Sequence, residues 1–270
     1  MRLFEKIKNK ISWVIEDFFW FFFKRVFKAK IKNENLVIGI TTFMDRFESC
    51  LKPLVEKLAV LFPNIQIIVI ANGHVKKEEN QGYMINIKSF CDKFKNVELI
   101  SYEEPMGLSF IWNQILKHAN TKKVLMLNDD INIKSSFPKW FSKSDILEKE
   151  IATINNSWSH FIISKDIFKK VGPFDEGLLE IGGEDDDYSA RLVMNKIELK
   201  NLNTNTIAAK LKLKHKRLAV NSFGRNMNEE KHGYSSYNTE YLEKKWKMSN
   251  VYFEGAFEVP NRIMRYWKQR

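Results

Sequence analysis

The sequence predicts an α/β protein with a mostly parallel β-sheet flanked by helices. From Leu36 onward, apolar runs of five to seven residues alternate with segments of helical apolar spacing. No Pro/Gly/Ser-rich linker and no internal repeat divides the 270 residues, so one principal domain with appendages is expected. The polar clusters Thr41-Thr42, Asn72 and Asp129-Asp130 each fall where an apolar run ends, and parallel sheets bind ligands at the carboxyl ends of their strands.

Leu36 to Thr41 reads as a buried strand, and Phe47 to Leu61 as an amphipathic helix stopped by Pro63. Ile65 to Ala71 is a second strand, closed by the turn dipeptide Asn72-Gly73. A helix over 84–94, a strand from Val97 to Ser101, a helix from Gly107 to Ala119 and a strand from Lys123 to Leu127 follow. That last strand runs straight into Asn128-Asp129-Asp130. Strands this short, separated by helices, imply a sheet covered on both faces. Beyond Asp130 the pattern is less regular. It predicts a strand over Phe161 to Ser164, a helical turn over Lys165 to Lys170 and a helix over Glu184 to Met194. Strands near Ile197 to Leu199 and Ile207 to Leu213 come next, then helices over Thr239 to Lys247 and Glu258 to Lys268.

Composition sets bounds. With 44% hydrophobic and 13% aromatic residues the chain can build a substantial core, and six prolines and eleven glycines argue against disorder. Cys50 and Cys91 form no CxxC pair and read as reduced structural thiols of a cytosolic protein. The net charge of +11 suits anionic partners, and it is concentrated at the start: residues 1–33 hold nine bases and three acids.

The same segment carries the aromatic run Phe18, Phe19, Trp20, Phe21, Phe22, Phe23, bounded by Asp17 and Lys24. It is shorter than the roughly 20 apolar residues of a spanning helix. No small-residue cleavage site follows it, so it does not read as a secretory signal. Two readings stay open. The helix lies in a bilayer interface, aromatics among the headgroups and lysines on anionic lipid. Or it packs its aromatic face on the principal domain or on a second subunit. The C-terminal stretch Asn261 to Arg270, with Trp267 among four bases, could join the same surface.

Two acidic clusters carry the chemistry. Asn128-Asp129-Asp130 places adjacent carboxylates at a strand end. Their repulsion needs an offset, and a hard divalent cation shared with a diphosphate would supply it; an ordinary polar turn is the plainer alternative. Gly182-Gly183-Glu184-Asp185-Asp186-Asp187 opens a helix, where the dipole favours acids, but four in a row exceed what capping requires. Asp187 is spaced to pair with Arg191 at i+4. A carboxylate beside a hydroxyl is a general base. His215, after a predicted strand, is a candidate nitrogen ligand for such a cation, with His160 and His232 as alternatives.

In this order the segments resemble the glycosyltransferases of GT-A (Rossmann-like) fold, and in particular the large family 2 of inverting enzymes. The likeness runs from Leu36 to His215, about two-thirds of the chain. It comprises Thr42-Phe43-Met44-Asp45-Arg46 after the first strand, Ala71-Asn72-Gly73 after the second, Gly107 to Asn113, Asn128-Asp129-Asp130, Val171-Gly172-Pro173-Phe174-Asp175-Glu176, and Glu184-Asp185. Gly182 to Asp187 followed by Arg191-Leu192 is also similar to the acceptor-site motif of the β-1,4-galactosyltransferases, which a metal-binding histidine follows at about the spacing of His215.

The resemblance implies the following roles. Thr41, Thr42 and Arg46 line the nucleotide, Asn72 meets the base, and Asn113 is a further substrate-binding residue. Asp130 is the principal ligand of a divalent metal, Mn²⁺ or Mg²⁺, with His215 and with Asn128 where the motif's first aspartate is expected. Asp185 is the catalytic base, and Glu184 and Asp186, with Asp187 and Arg191, shape the acceptor site. The partners it implies are a nucleotide-sugar donor, UDP by analogy, and a glycan or lipid-linked glycan acceptor of the bacterial surface-polysaccharide type. An anionic membrane surface is a further expected partner and an oligomer is allowed. The chain would then divide into an amphipathic helix over 1–33, a catalytic domain over 34–217 and a helical extension over 218–270. It would sit in the cytoplasm, peripheral to the inner face of the membrane. The rival class is a basic membrane- or nucleic-acid-binding protein with structural acidic clusters, but no RNA-binding or helix-turn-helix signature is present. Nucleotidyl transfer ranks last, because the Gly-rich signature of sugar-nucleotide pyrophosphorylases is absent.

Overall fold

Leu36 to Thr42 are buried without a break, which marks a strand covered on both faces rather than an amphipathic one. This strand, β1 (Leu36–Thr42), is the hub of the sheet. The computed structural model describes residues 11–16, 18, 20, 35–42, 46–73, 77–179, 181–209 and 236–247. In it β1 pairs in parallel with β2 (Gln66–Ala71) on one side and with β4 (Lys123–Asn128) on the other. β2 in turn pairs in parallel with β3 (Val97–Ser101). The sheet continues from β4 through antiparallel pairing with β7 (Ser157–Ser164), which pairs antiparallel with β6 (Ile151–Ile154), and β6 pairs in parallel with β8 (Lys200–Leu202). The order is β3-β2-β1-β4-β7-β6-β8. A separate antiparallel pair joins β5 (Ile131–Ile133) to β9 (Ile207–Ala209).

From β1 the chain winds outward through α1 (Lys52–Leu61) to β2 and through α2 (Lys77–Cys91) to β3. It then crosses through α3 (Leu108–His118) to β4 on the other flank of β1. The winding direction therefore reverses between β1 and β4, and the crevice at such a reversal is where open α/β sheets take ligands.

Alternate residues of each strand feed two cores. Ile38, Ile40, Val69, Leu125 and Leu127 face α1, α2 and α4 (Phe137–Lys143). Val37, Ile68, Ile70, Val124 and Met126 face α3 and α6 (Glu184–Met194). Within the second core Trp112, Trp158, Phe161, Phe174 and Tyr188 form one aromatic group, with Phe174 stacked on Tyr188 at 4.1 Å. Each such side chain contributes roughly 1.5–3 kcal/mol by its burial. α5 (Lys165–Val171) and α7 (Ser236–Trp246) complete the described helices.

Several elements differ from the sequence reading. Phe47 to Leu61 is not one helix: Pro53 at its start has no N–H to give the preceding turn, and a π-helical turn over Phe47–Leu51 leads into α1. α2 begins at Lys77, not 84, because its first turns are polar and show no apolar spacing. β8 lies at Lys200–Leu202, not Ile197 to Leu199, whose side chains pack against the second core from a loop. β5, α4 and β6 were not expected. Glu258 to Lys268 and the end of the strand drawn to Leu213 lie outside the described residues.

The N-terminal segment is helical at residues 11–16, 18 and 20 and lies on the domain. Lys134 donates to the Ser12 hydroxyl at 2.7 Å and its ammonium stands 4.7 Å from the Trp13 ring. Glu16 accepts the Ser135 N–H and pairs with Lys57 at 3.3 Å, and Lys57 also stands over Trp20. No described helix is long and apolar enough to cross a membrane.

Candidate active site

The carboxyl ends of β1 and β4 hold a linked group of four side chains. Register sets Thr41 beside Asn128, so Thr42 and Asp129 emerge together just past the sheet. The Thr42 hydroxyl donates to Asp129 Oδ2 at 2.7 Å. Arg46 donates from Nη1 to Asp129 Oδ1 at 2.8 Å and from Nη2 to Asp130 Oδ2 at 3.1 Å. Burial lowers the Arg46 pKa and the two aspartates more than restore it, so the guanidinium is held charged. The offset that the adjacent aspartates require is therefore built into the chain: Arg46 supplies it. Asp129 is only 1% exposed, whereas the Asp130 side chain is 29% exposed and faces solvent. Asp129, absent from the expected site residues, proves to be its structural centre.

The neighbouring loops are fixed by buried amides. Asn72, at the end of β2, donates to the Met106 carbonyl and accepts the Met106 and Gly73 N–H groups. Asn113, fully buried in α3, donates to the Phe174 carbonyl and to Glu176, and accepts the Phe174 N–H. Both amides expected to meet substrate thus spend their hydrogen bonds on the backbone of loops that frame the crevice. Between them Gly107 begins α3 with the Leu178 and Leu179 carbonyls so near that a Cβ would meet them at 2.7 Å. The loop before α6 is thereby brought against the loop that Asn72 holds.

That loop turns through Gly182 and Gly183, at φ 112° and 91°, a conformation side chains resist. It opens α6 with Glu184, Asp185, Asp186 and Asp187 in the first turn. The four carboxylates separate by environment. Glu184 reaches back to accept the Gly182 N–H at 2.6 Å; burial, then the Asp185 charge, push its pKa up to about 8. Asp186 is 1% exposed. Asp187 is buried and tied to Arg191 Nε at 2.9 Å, to the Trp246 indole N–H at 3.1 Å and to Lys245. Arg191 is in turn committed to the Val171 and Pro173 carbonyls and lies over Tyr188. Only Asp185 is half-exposed. It accepts the Asp186 N–H at 3.0 Å, and burial raises its pKa despite that bond. A proton acceptor with raised affinity that still reaches solvent is suited to take a proton from an incoming hydroxyl.

α7 locks this arrangement from behind. Asn238, fully buried, accepts the Leu179 N–H and donates to the Gly182 carbonyl. Tyr241 and Lys245 both donate to Asp175. Burial would raise the Asp175 pKa, but Lys245, the Gly177 N–H and Tyr241 together hold it below the ordinary carboxylate value. The stretch Asn238 to Trp246, ending Lys-Lys-Trp, is similar in sequence to tail segments of related transferases, but the contacts of Asn238, Tyr241 and Lys245 are not legible from it.

Among the described residues no three His, Cys, Asp or Glu side chains form a complete metal cage. The oxygen donors at the end of β4 nevertheless fit a hard cation. Asn128 Oδ1 is buried without a hydrogen-bond partner among the described residues, and Asp130 is accessible two residues on. Mg²⁺ and Mn²⁺ take one or two protein oxygens and complete their shell with phosphate and water. His215 and His232 lie outside the described residues. His160 lies inside them: it faces Leu127 across the β4–β7 pair, is 2% exposed, and both its ring nitrogens are buried without hydrogen-bond partners among the described residues. Burial lowers its pKa to about 4, against the pull of the Asp130 charge.

No protein-family profile and no curated protein sequence matches the chain. Solved structures do. S. aureus TarS matches with a TM-score of 0.53 at 12% identity, over 87% of this chain and 43% of that one. The mannosyltransferase PcManGT of Pyrobaculum calidifontis, in complex with GDP-Man and Mn²⁺, matches with 0.52 at 9% identity, over 96% and 79%. Glucosyl-3-phosphoglycerate synthase of Mycobacterium tuberculosis, in complex with Mn²⁺, UDP and phosphoglyceric acid, matches with 0.51 at 8%, over 83% and 87%. Against three TarS structures the chain covers 58%, 60% and 43% of their length, less than two thirds in each. At these identities the likeness is one of architecture: the chain has the GT-A (Rossmann-like) fold.

Proposed function

We propose that the chain is an inverting glycosyltransferase that moves a sugar from a nucleoside-diphosphate sugar to a hydroxyl of a glycan or lipid-linked glycan. The observation that carries this reading is the Thr42–Asp129–Arg46–Asp130 group at the point where the sheet reverses, with the half-buried Asp185 in the first turn of α6, after a loop packed against the start of α3. The structures that share its architecture include complexes with GDP-Man, with UDP and with UDP-GlcNAc, two of them with Mn²⁺. UDP is the first donor nucleotide to test.

In this reading Asp129 is the fixed post and Asp130 the working carboxylate. Asp130, with the Asn128 amide oxygen, would hold a divalent cation, whose chemistry is to neutralise charge on the departing diphosphate. Arg46 sets the orientation of Asp130 and adds positive charge beside the same oxygens, in a site where such preorganised charge counts most. The acceptor oxygen attacks the anomeric carbon as the bond from that carbon to the diphosphate oxygen breaks. Asp185 takes the proton from the attacking hydroxyl. One displacement from the opposite face inverts the anomeric centre.

The test uses the full chain with a panel of nucleotide sugars, with and without Mn²⁺, reading release of nucleoside diphosphate and thermal stabilisation. Metal-dependent release with one donor is expected, and Asp185→Asn should keep donor-induced stabilisation while losing transfer. If no nucleotide sugar stabilises or is consumed by the chain under either condition, the reading fails.

A further inference from the structure

The N-terminal helix has two unlike faces. Ser12, Trp13, Glu16 and Trp20 bind the domain through Lys134, Ser135 and Lys57. Both lysines are buried, 6% and 8% exposed, so this face is a seated interface. At about 100° per residue, Ile11, Val14, Ile15 and Phe18 fall together on the opposite side. They are 54%, 64%, 49% and 61% exposed. Four large apolar side chains at i, i+3, i+4 and i+7 are the stripe an amphipathic helix normally buries; here they point away from the protein that the helix sits on.

Charge identifies what they meet. Glu16, an acid of this segment, is turned inward and neutralised by Lys57. In the sequence Lys6, Lys8 and Lys10 precede these residues, and Phe21, Phe22 and Phe23 and then Lys24, Arg25 and Lys28 follow them. An exposed apolar stripe on a helix seated by its other face, with basic clusters on either side of it in the sequence, matches an anionic lipid surface: side chains enter the acyl boundary and lysines meet headgroups. We propose that this helix is an interfacial anchor that docks the domain on an anionic bilayer through Ile11, Val14, Ile15 and Phe18. Its seat also relates the bilayer to the acidic pair. Lys134 follows Asp130 by four residues, so their Cα atoms are no more than roughly 14 Å apart. The anchored face and the Asp129–Asp130 end of β4 therefore belong to one region of the molecule, as a membrane-borne acceptor would require.

The experiment is vesicle flotation of the full chain, using phosphatidylcholine alone and phosphatidylcholine with phosphatidylglycerol in equal parts. The wild type should bind the mixed vesicles, bind less as salt rises, and bind the neutral ones poorly. Val14→Glu and Ile15→Glu should each lower partitioning about tenfold or more, in line with losing one buried apolar side chain, with unchanged melting because neither touches the seat. Val14→Ser with Ile15→Ser provides the same loss of apolar contact should a glutamate disturb the fold. Binding is read without substrate, so it stands or falls independently of the glycosyltransferase reading. Absence of vesicle binding by the wild type, or equal binding by the variants, overturns the proposal. So does light scattering that shows a dimer dissolved by these same variants without any lipid effect, which would assign the stripe to a second copy of the chain.

Discussion

Arg46 donates to Asp129 across 2.8 Å and thereby joins the segment after β1 to the end of β4, 83 residues away. Asp129 is nearly inaccessible, and the Thr42 hydroxyl also donates to it. The relationship makes the first acidic cluster stable before any ligand arrives. It also divides the labour between two adjacent aspartates that look alike in the sequence.

Removing the guanidinium should therefore act on stability before it acts on substrate. Arg46→Met leaves a buried carboxylate without its cation, a change that typically costs about 3–5 kcal/mol. Denaturant titration should show that loss, and Arg46→Met combined with Asp129→Asn should recover part of it. Arg46→Lys should fall between, since an ammonium cannot bond two carboxylates in a fork. A variant as stable as the wild type would show that Asp129 does not depend on this pair.

The parallel half of the fold was legible because each of β1, β2 and β4 is buried on both faces and writes a continuous apolar run. The antiparallel half was not. β6 is four residues long, and its link to β7 is the two-residue turn Asn155-Asn156, both at φ 54°, a hairpin geometry that asparagine favours. That dipeptide was the available signal for β6. α4 begins with Phe137-Pro138, where proline sits in a first turn and reads in sequence as a break. In the site, Thr42, Asp130 and Asp185 could be singled out as candidates because strand ends and helix starts are local features. The contacts of Asp129 and Asn113, and that of Asp187 with Trp246, could not be read there, because each joins partners 59 to 87 residues apart. The pairing of Asp187 with Arg191, four residues on, could.

Asn113 offers a test of positioning. Its amide holds both backbone groups of Phe174, and Asn113→Ala leaves them buried and unpaired at about 1–3 kcal/mol for each group. A melting temperature lower by several degrees is expected, together with weakened acceptor use rather than weakened nucleotide binding. Loss of nucleotide binding with unchanged stability would instead return Asn113 to the donor pocket.

Trp246 probes the C-terminal lock. Trp246→Phe keeps an aromatic ring but removes the N–H that Asp187 accepts; a hydrogen bond to a charged group contributes about 1.5–3 kcal/mol. The loss should be smaller than for Arg191→Met, which removes the Asp187 ion pair and two backbone contacts at once. No loss for Trp246→Phe would mean that α7 adds little to the α6 turn.

The pH dependence of stability should carry two opposed slopes. Burial, and then Asp185, hold Glu184 protonated up to about pH 8, whereas the unfolded chain gives up that proton near 4.5. The folded state binds the extra proton between those values, so this contribution is complete below 4.5 and is lost as pH rises toward 8. His160 runs the other way. Burial lowers it from 6.5 to about 4, so the unfolded chain binds the extra proton, and stability is complete above 6.5 and lost as pH falls through 4. The two windows overlap from pH 4.5 to 6.5, where the slopes oppose each other, so the wild type should melt highest on a plateau there and lower on either side. Glu184→Gln should remove the decline above pH 6.5 and leave a profile that rises and then levels. His160→Gln should remove the acid-side loss and leave one that falls from 4.5 to 8. Each slope should amount to something on the order of 3–5 kcal/mol, read as melting temperature in buffers across pH 4 to 9. A Glu184→Gln profile that still falls above pH 6.5 would show that Glu184 is already ionised in the folded protein, and that the α6 turn carries its full negative charge at neutral pH.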